Sequence, residues 1–234
     1  MWVSDCGVAG VVVRLTGAAF TAIDVCDEGV RVGAGVTIAR LLSWCEEHGL
    51  GGLEFMNGIP GTVGGALAMN AGAYGGETWD RVALLRSIDR SGDIHERAPG
   101  EYTVGYRSVT GPSNEWFIEA TLRFDPEVKP SKEAMDEMLE RRKRTQPLGL
   151  PSCGSVFRNP PGDHAARLIE AAGLKGFSIG GAEVSEKHAN FIINRGDATA
   201  TDIEELIEHV RQTVIEQHGV ELVHEVRIVG EVAA

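Results

Sequence analysis

No run of about eighteen apolar residues occurs in this sequence, so no membrane-spanning helix is expected. The first residues also lack a charged-then-apolar leader, because the apolar stretch from Val8 to Leu15 is short and is interrupted by Gly10 and Arg14. A cytoplasmic location is the expectation. Cysteine is scarce and scattered: Cys6, Cys26, Cys45 and Cys153 form no C-x-x-C pair, which argues against a zinc site or a disulfide framework. The thiols read as small buried or idle groups, and no metal is expected. Positive charge is outnumbered, with Lys+Arg at 22 against Asp+Glu at 34 and a net charge of −12. Such a chain repels a phosphate backbone, so no nucleic-acid partner is expected. A small anionic ligand stays open, since a site needs only local donors and cations.

Glycine is what the chain has in excess. Its 30 glycines in 234 residues are nearly twice the usual share of ~7%, so tight turns or close backbone approaches are built in. Around them the pattern alternates. β-Branched runs at residues 11–15, 21–25 and 30–32 read as strands. Thr37 to His48 has helical spacing through Ile38, Leu41, Leu42 and Cys45, with Gly49 in place to end the helix. Further strands are expected at residues 82–89, 116–120 and 121–124.

Pro126 and Pro130 mark a break. After it Ser131 can cap a helix with Met135, Met138 and Leu139 on one face, ending in the basic cluster Arg141–Arg144. The remainder has its own helix–strand logic. Ala165, Leu168, Ile169 and Ala172 form a helical face closed by Gly173, and residues 191–193 read as a strand. Thr201 and Glu204 form a capping box ahead of Ile203, Leu206, Ile207, Val210 and Val214, with Gly219 as terminator. Residues 222–229 read as a final strand. The class is α+β in two domains: 1–125, then a helical connector at 126–150, then 151–234.

The densest glycine stretch is Gly58-Ile-Pro-Gly-Thr-Val-Gly-Gly65, which continues to Gly76. Glycines let backbone N–H groups converge on an anionic oxygen, Pro60 stiffens the turn and Thr62 adds a hydroxyl. No Gly-Lys-Ser/Thr follows, so it is not a Walker loop. Nor is Gly33-Ala-Gly35 a dinucleotide fingerprint, because Ile38 stands where the third glycine belongs. Physics alone leaves an anion nest and a structural bend equally open.

Three segments together resemble a known family. Gly58–Gly65 with Met69-Asn-Ala-Gly-Ala-Tyr-Gly75, then Cys153-Gly-Ser-Val-Phe-Arg-Asn-Pro160, then His224-Glu-Val-Arg-Ile-Val-Gly230, are similar in order and content to the signatures of UDP-N-acetylenolpyruvoylglucosamine reductases of the short, type II kind. The resemblance implies a partial FAD-binding domain of the PCMH/vanillyl-alcohol-oxidase type followed by a smaller α+β substrate-binding domain. It implies FAD as cofactor, NADPH as reductant and a UDP-sugar enolpyruvyl ether as substrate, reduced to UDP-N-acetylmuramate for peptidoglycan and cell-wall synthesis. A monomer is expected.

Residue roles carry over position by position. The cofactor-binding set is Gly58, Ile59, Pro60, Gly61, Thr62, Val63, Gly64, Gly65, Asn70 and Gly72. Ser155 corresponds to the proton donor to the reacting carbon. Arg107 corresponds to the arginine that holds the enolpyruvyl carboxylate, a task suited to a planar, always-charged fork. Glu225 corresponds to the glutamate that assists protonation or orients substrate. Tyr106, Asn159 and His188 fall at substrate-binding positions, and the Arg141–Arg144 cluster could attract a diphosphate or complement its helix dipole.

The sequence departs from the family pattern in two places. Tyr106-Arg-Ser-Val-Thr-Gly111 displaces the family's serine and lacks its aromatic residue. The similarity also starts abruptly at Trp2, without the Gly-x-Gly-Ser-Asn loop that completes the FAD site in the family, and the tyrosine-bearing insertion of the longer members is absent. An inactive or truncated relative, or another FAD-dependent oxidoreductase on the same scaffold, are the alternative readings.

Overall fold

Hydrophobic periodicity and glycine turns are realised as two units in the computed structural model, which describes residues 2–125 and 127–230. Residues 2–12 and 142–230 form one unit and residues 13–141 the other. This division differs from the expected one at both ends: the first dozen residues fold with the C-terminal part, and the second boundary falls within a helix. The break expected at Pro126 lies outside the described residues.

The early residues join the C-terminal part through paired backbone and two side chains. Strand β1 (Trp2–Val3) runs parallel to a strand at Ile228–Val229, and the Trp2 N–H donates to the Arg227 carbonyl at 2.7 Å. The Ser4 hydroxyl donates to Glu204 at 2.7 Å, and Asp5 accepts the N–H groups of Ala200 and Thr201 at 2.8 and 2.9 Å.

In the 13–141 unit the strands are β2 (Ile23–Cys26), β3 (Gly29–Gly33), β4 (Gly72–Ala73), β5 (Gly76–Glu77), β6 (Val82–Asp89), β7 (Ile94–Arg97), β8 (Thr103–Gly105), β9 (Ser108–Thr110) and β10 (Glu115–Leu122). Five of them form one antiparallel sheet in the order β2-β3-β10-β6-β7, while β4-β5 and β8-β9 are separate hairpins. Alternation puts Val30, Val32, Leu85, Ala120 and Leu122 into the core. There they meet helices α1 (Ile38–Glu47) and α2 (Val63–Met69) through Ile38, Leu41, Leu67 and others. Each such fully buried aliphatic side chain contributes about 1.5–3 kcal/mol. Thr37 caps α1 by accepting the Arg40 N–H at 3.3 Å, and Gly49 follows at φ 68°, as the spacing predicts. Helix α3 (Lys132–Thr145) starts on Ser131, whose hydroxyl accepts the Ala134 N–H at 3.2 Å.

The second unit pairs β11 (Ser152–Ser155), β12 (Ser178–Ile179), β13 (Ala182–Val184) and β14 (Phe191–Asn194) in the order β11-β14-β13-β12. Helices α4 (Ala165–Ala171) and α5 (Ala200–His218) share its core, and β15 (Ile228–Val229) pairs with β1.

Five expected elements change form. Residues 11–15 make no strand, and Val11, Val12 and Val13 are exposed. β-Branched residues favour a strand only where a neighbouring strand and a buried face exist, and this segment passes from one unit to the other. Residues 116–122 lie in one strand, β10, bent by register shifts rather than broken by a turn, and residues 123–124 lie beyond its end. Helix α5 is capped two residues earlier than expected: Thr199 accepts the Asp202 N–H and Asp202 accepts the Thr199 N–H, both at 3.0 Å, while the Thr201 hydroxyl donates to Asp5. Only Ile228–Val229 of the expected 222–229 strand is a strand. The Val156 carbonyl accepts the N–H of both Glu225 and Val226, at 2.8 and 3.2 Å, and that doubling breaks the ladder.

Candidate active site

The glycine stretch is more ordered than a loop. It holds α2 and the β4-β5 hairpin, and the first donors of α2 are already engaged. The Val63 N–H goes to the Val36 carbonyl and the Gly64 N–H to the Ala34 carbonyl, both at 2.9 Å, and the Gly65 N–H reaches the Thr62 hydroxyl at 3.4 Å. A convergence of these three N–H groups on an anion is therefore not what the fold presents. What it presents is a turn at Gly58–Thr62 with Pro60 and Gly61 exposed. Gly58 and Gly61 sit at φ 77° and 110°, in the region that favours glycine, and a Cβ on Gly61 would meet nothing within 4 Å. Gly64 has another reason to be glycine: its Cβ would lie 3.0 Å from the Ala34 side chain, in a close contact between α2 and the turn after β3.

Asn70 and Gly72 face inward. Asn70 ends α2 in the left-handed conformation (φ 42°) and is 0% exposed. Its amide donates to Glu77 at 2.7 Å and to the Gly105 carbonyl at 3.3 Å, and its carbonyl oxygen accepts the Trp79 N–H at 3.2 Å. A Cβ on Gly72 would lie 2.4 Å from the Gly76 carbonyl oxygen, so glycine there lets the hairpin close.

Arg107 stands in the two-residue turn between β8 and β9, where Gly105 pairs with Ser108. Its φ of 52° is a left-handed value usually taken by glycine. The guanidinium donates to the Asn70 carbonyl at 3.2 Å and the Gly72 carbonyl at 2.7 Å, and lies 5.1 Å from the Tyr106 ring centroid. Arg107, Tyr106 and the Asn70–Gly72 bend are thus one constellation, while Tyr106 itself is exposed.

In the 142–230 unit the structure brings Ser155 and Glu225 to adjacent backbone. Ser155 ends β11 opposite Phe191. The next residues are held on both sides: the Val156 N–H donates to the Asn190 carbonyl at 2.9 Å, its own carbonyl accepts from Glu225, and Phe157 bridges to His224. Asn190 supplies the clamp. It is 4% exposed, and its side chain accepts the Phe157 N–H at 3.0 Å and donates to the Phe157 carbonyl at 2.7 Å. Phe157 is buried to 1%, so the backbone leading out of Ser155 is anchored by core packing as well.

Asn159 and His188 carry structural bonds. Asn159 accepts the Ala165 N–H at 3.1 Å, satisfying the first turn of α4. His188 Nδ1 accepts the Asn190 N–H at 3.3 Å, and its ring meets Phe191 edge-on at 4.8 Å. With Nδ1 accepting, the ring proton belongs on Nε2. Burial holds the His188 pKa below its ordinary value, so the ring favours the neutral form. Burial does the same for His224, with the Arg211 charge adding to it. Sequence reasoning missed Asn190 and Glu77; a polar residue before a strand and an acidic residue in a hairpin carry no motif, and only tertiary contacts reveal them.

A family model described as the C-terminal domain of UDP-N-acetylenolpyruvoylglucosamine reductase matches residues 146–229, and one described as an FAD binding domain matches residues 2–97. The UDP-N-acetylenolpyruvoylglucosamine reductase of Alkalilimnicola ehrlichii is 56% identical over 230 residues, covering 98% of this chain and 77% of that protein. The reductase of Methylococcus capsulatus is 56% identical over 202 residues, covering 86% of this chain and 66% of that one. A crystal structure of UDP-N-acetylenolpyruvylglucosamine reductase from Thermus caldophilus superposes with a TM-score of 0.83 at 36% identity, covering 97% of this chain and 81% of the other.

Proposed function

The chain belongs to the UDP-N-acetylenolpyruvoylglucosamine reductase family, and from that premise we propose that it reduces UDP-N-acetylglucosamine enolpyruvate to UDP-N-acetylmuramate with FAD and NADPH. This is a step of peptidoglycan precursor synthesis, carried out by a cytoplasmic monomer. The observation that supports the proposal is the backbone pairing of the segment that follows Ser155 with Glu225, whose N–H donates to the Val156 carbonyl at 2.8 Å.

FAD would be held at the Gly58–Thr62 turn, where Pro60 and Gly61 are exposed and glycines in the left-handed region turn the chain. When bound and reduced by NADPH it supplies the hydride. The remaining work falls to side chains. Arg107 binds the enolpyruvyl carboxylate and offsets charge that grows as the double bond is reduced. Ser155 delivers a proton to the carbon adjacent to the one that receives hydride, its Oγ held in place by the clamped segment 155–158. Glu225 orients the substrate or supports that proton transfer. Asn159, Tyr106 and His188 contact the UDP-sugar, His188 through Nε2–H as donor.

The test is a flavin absorbance spectrum of the purified chain with added FAD, followed anaerobically by NADPH and then by the enol ether. Retained flavin bands that bleach with NADPH and return with substrate are the expected result. Bands that never appear point to an inactive relative. Bleaching without recovery on substrate points to a different oxidoreductase.

A further inference from the structure

The residue that governs the Arg107 turn is not in the turn. We propose that Asn70 is a positioning residue that sets where the Arg107 guanidinium points, acting through Gly105 and through its own carbonyl. The proposal rests on the reading of Arg107 as the group that holds the substrate carboxylate.

Asn70 grips the turn at two points. Its Nδ2 donates to the carbonyl of Gly105, the last residue of β8 before Tyr106, and its main-chain oxygen accepts from Arg107 Nη1. The amide cannot rotate to trade these contacts, because the Glu77 carboxylate takes its other proton and the Trp79 N–H fills its oxygen. With 0% exposure, the side chain is enclosed by these partners. An amide is the only side chain of this size that donates twice and accepts once here. The turn needs such a hold, since an arginine at φ 52° sits in a backbone region that L side chains disfavour. Glycine would suit that backbone better, so the arginine side chain is kept there against local preference.

Fold and positioning are separable by chemistry. In the Asn70→Asp/Glu77→Gln double variant the new carboxylate accepts from the new amide, which restores the link between α2 and the β4-β5 hairpin. The Gly105 carbonyl then faces an acceptor and is released. The FAD-loaded variant is expected to melt near the parent temperature, and its flavin is taken to full reduction by NADPH before the enol ether is added. Flavin reoxidation by the enol ether is expected to fall about 10²-fold, the usual size for a displaced charge-stabilising group. Amide hydrogen exchange over residues 103–110 is expected to quicken.

Should the double variant fail to fold, Asn70→Gly keeps the left-handed bend and removes the grip, and the same readouts apply. Parent-like reoxidation together with unchanged exchange at 103–110 overturns the proposal and leaves Asn70 a purely structural cap. If the parent flavin itself is not reoxidised by the enol ether, the reductase reading fails instead. The exchange measurement then still decides whether Asn70 holds the turn.

Discussion

The backbone that follows Ser155, the proposed proton donor, is held by neighbouring residues. Asn190 and the Glu225 backbone pin it, so an alanine at 155 leaves the scaffold unchanged. Ser155→Ala is expected to keep FAD and NADPH-driven flavin reduction while slowing turnover by about 10²–10⁴-fold, measured by steady-state kinetics beside anaerobic flavin reduction. Arg107 is the complementary case. Its guanidinium spans two carbonyls, Asn70 and Gly72, a geometry that a lysine's single ammonium cannot copy. Arg107→Lys is expected to raise KM and lower kcat together, lowering kcat/KM by at least about 10²-fold; a change confined to less than about three-fold would remove Arg107 from the site. Both assignments rest on motif register. Asn190 was not legible in the sequence, because its value lies in meeting Phe157, 33 positions away in sequence.

Helices and strands with complete local signals appear where the sequence puts them. Thr37 and Gly49 delimit α1, and β6 spans Val82–Asp89 as read. Elements whose existence depends on a distant partner were misread: residues 11–15 lack a sheet to join, and residues 222–227 meet an acceptor already shared. The cap of α5 was displaced for a similar reason, since Asp5 from far upstream occupies the Thr201 hydroxyl. Thr199→Ala removes the true cap and is expected to cost about 1 kcal/mol, read as a lower denaturation midpoint, whereas Glu204→Ala tests the Ser4 contact and not the cap. Asn190→Ala strips the clamp and leaves two buried Phe157 backbone groups unmet. A loss of about 1–3 kcal/mol per stranded group is expected, together with faster hydrogen exchange at residues 155–158; a stability within error of the parent would show that water replaces the amide.

Acid should reach the two units at different points. In the 142–230 unit, burial holds His188 and His224 below their ordinary value of 6.5, so each binds its proton less readily folded than unfolded. Stability from these groups is complete above pH 6.5 and is lost as the pH falls through that value towards the lowered ones. The groups held low in the 13–141 unit are carboxylates: Asp89, chiefly through its bond from His95, and Glu115, chiefly through its bond from Arg97. Their contribution stands until the pH falls below about 4.5, the ordinary glutamate value. Thermal melts between pH 8 and 4 are therefore expected to show the 142–230 unit weakening first. The His188→Gln/His224→Gln double variant should flatten that first slope, and an unchanged slope would place the acid sensitivity elsewhere.

The parallel pairing of Trp2–Val3 with Ile228–Val229 also orders events in time. A ribosome emits residues 13–141 as one uninterrupted stretch, so that unit has every contact it needs midway through translation. The other unit must hold its first strand unpaired while more than two hundred residues are added, and only then can the seam close. A chain stalled before residue 228 would thus carry a finished 13–141 body and an unsealed partner, the species for which a chaperone is most needed.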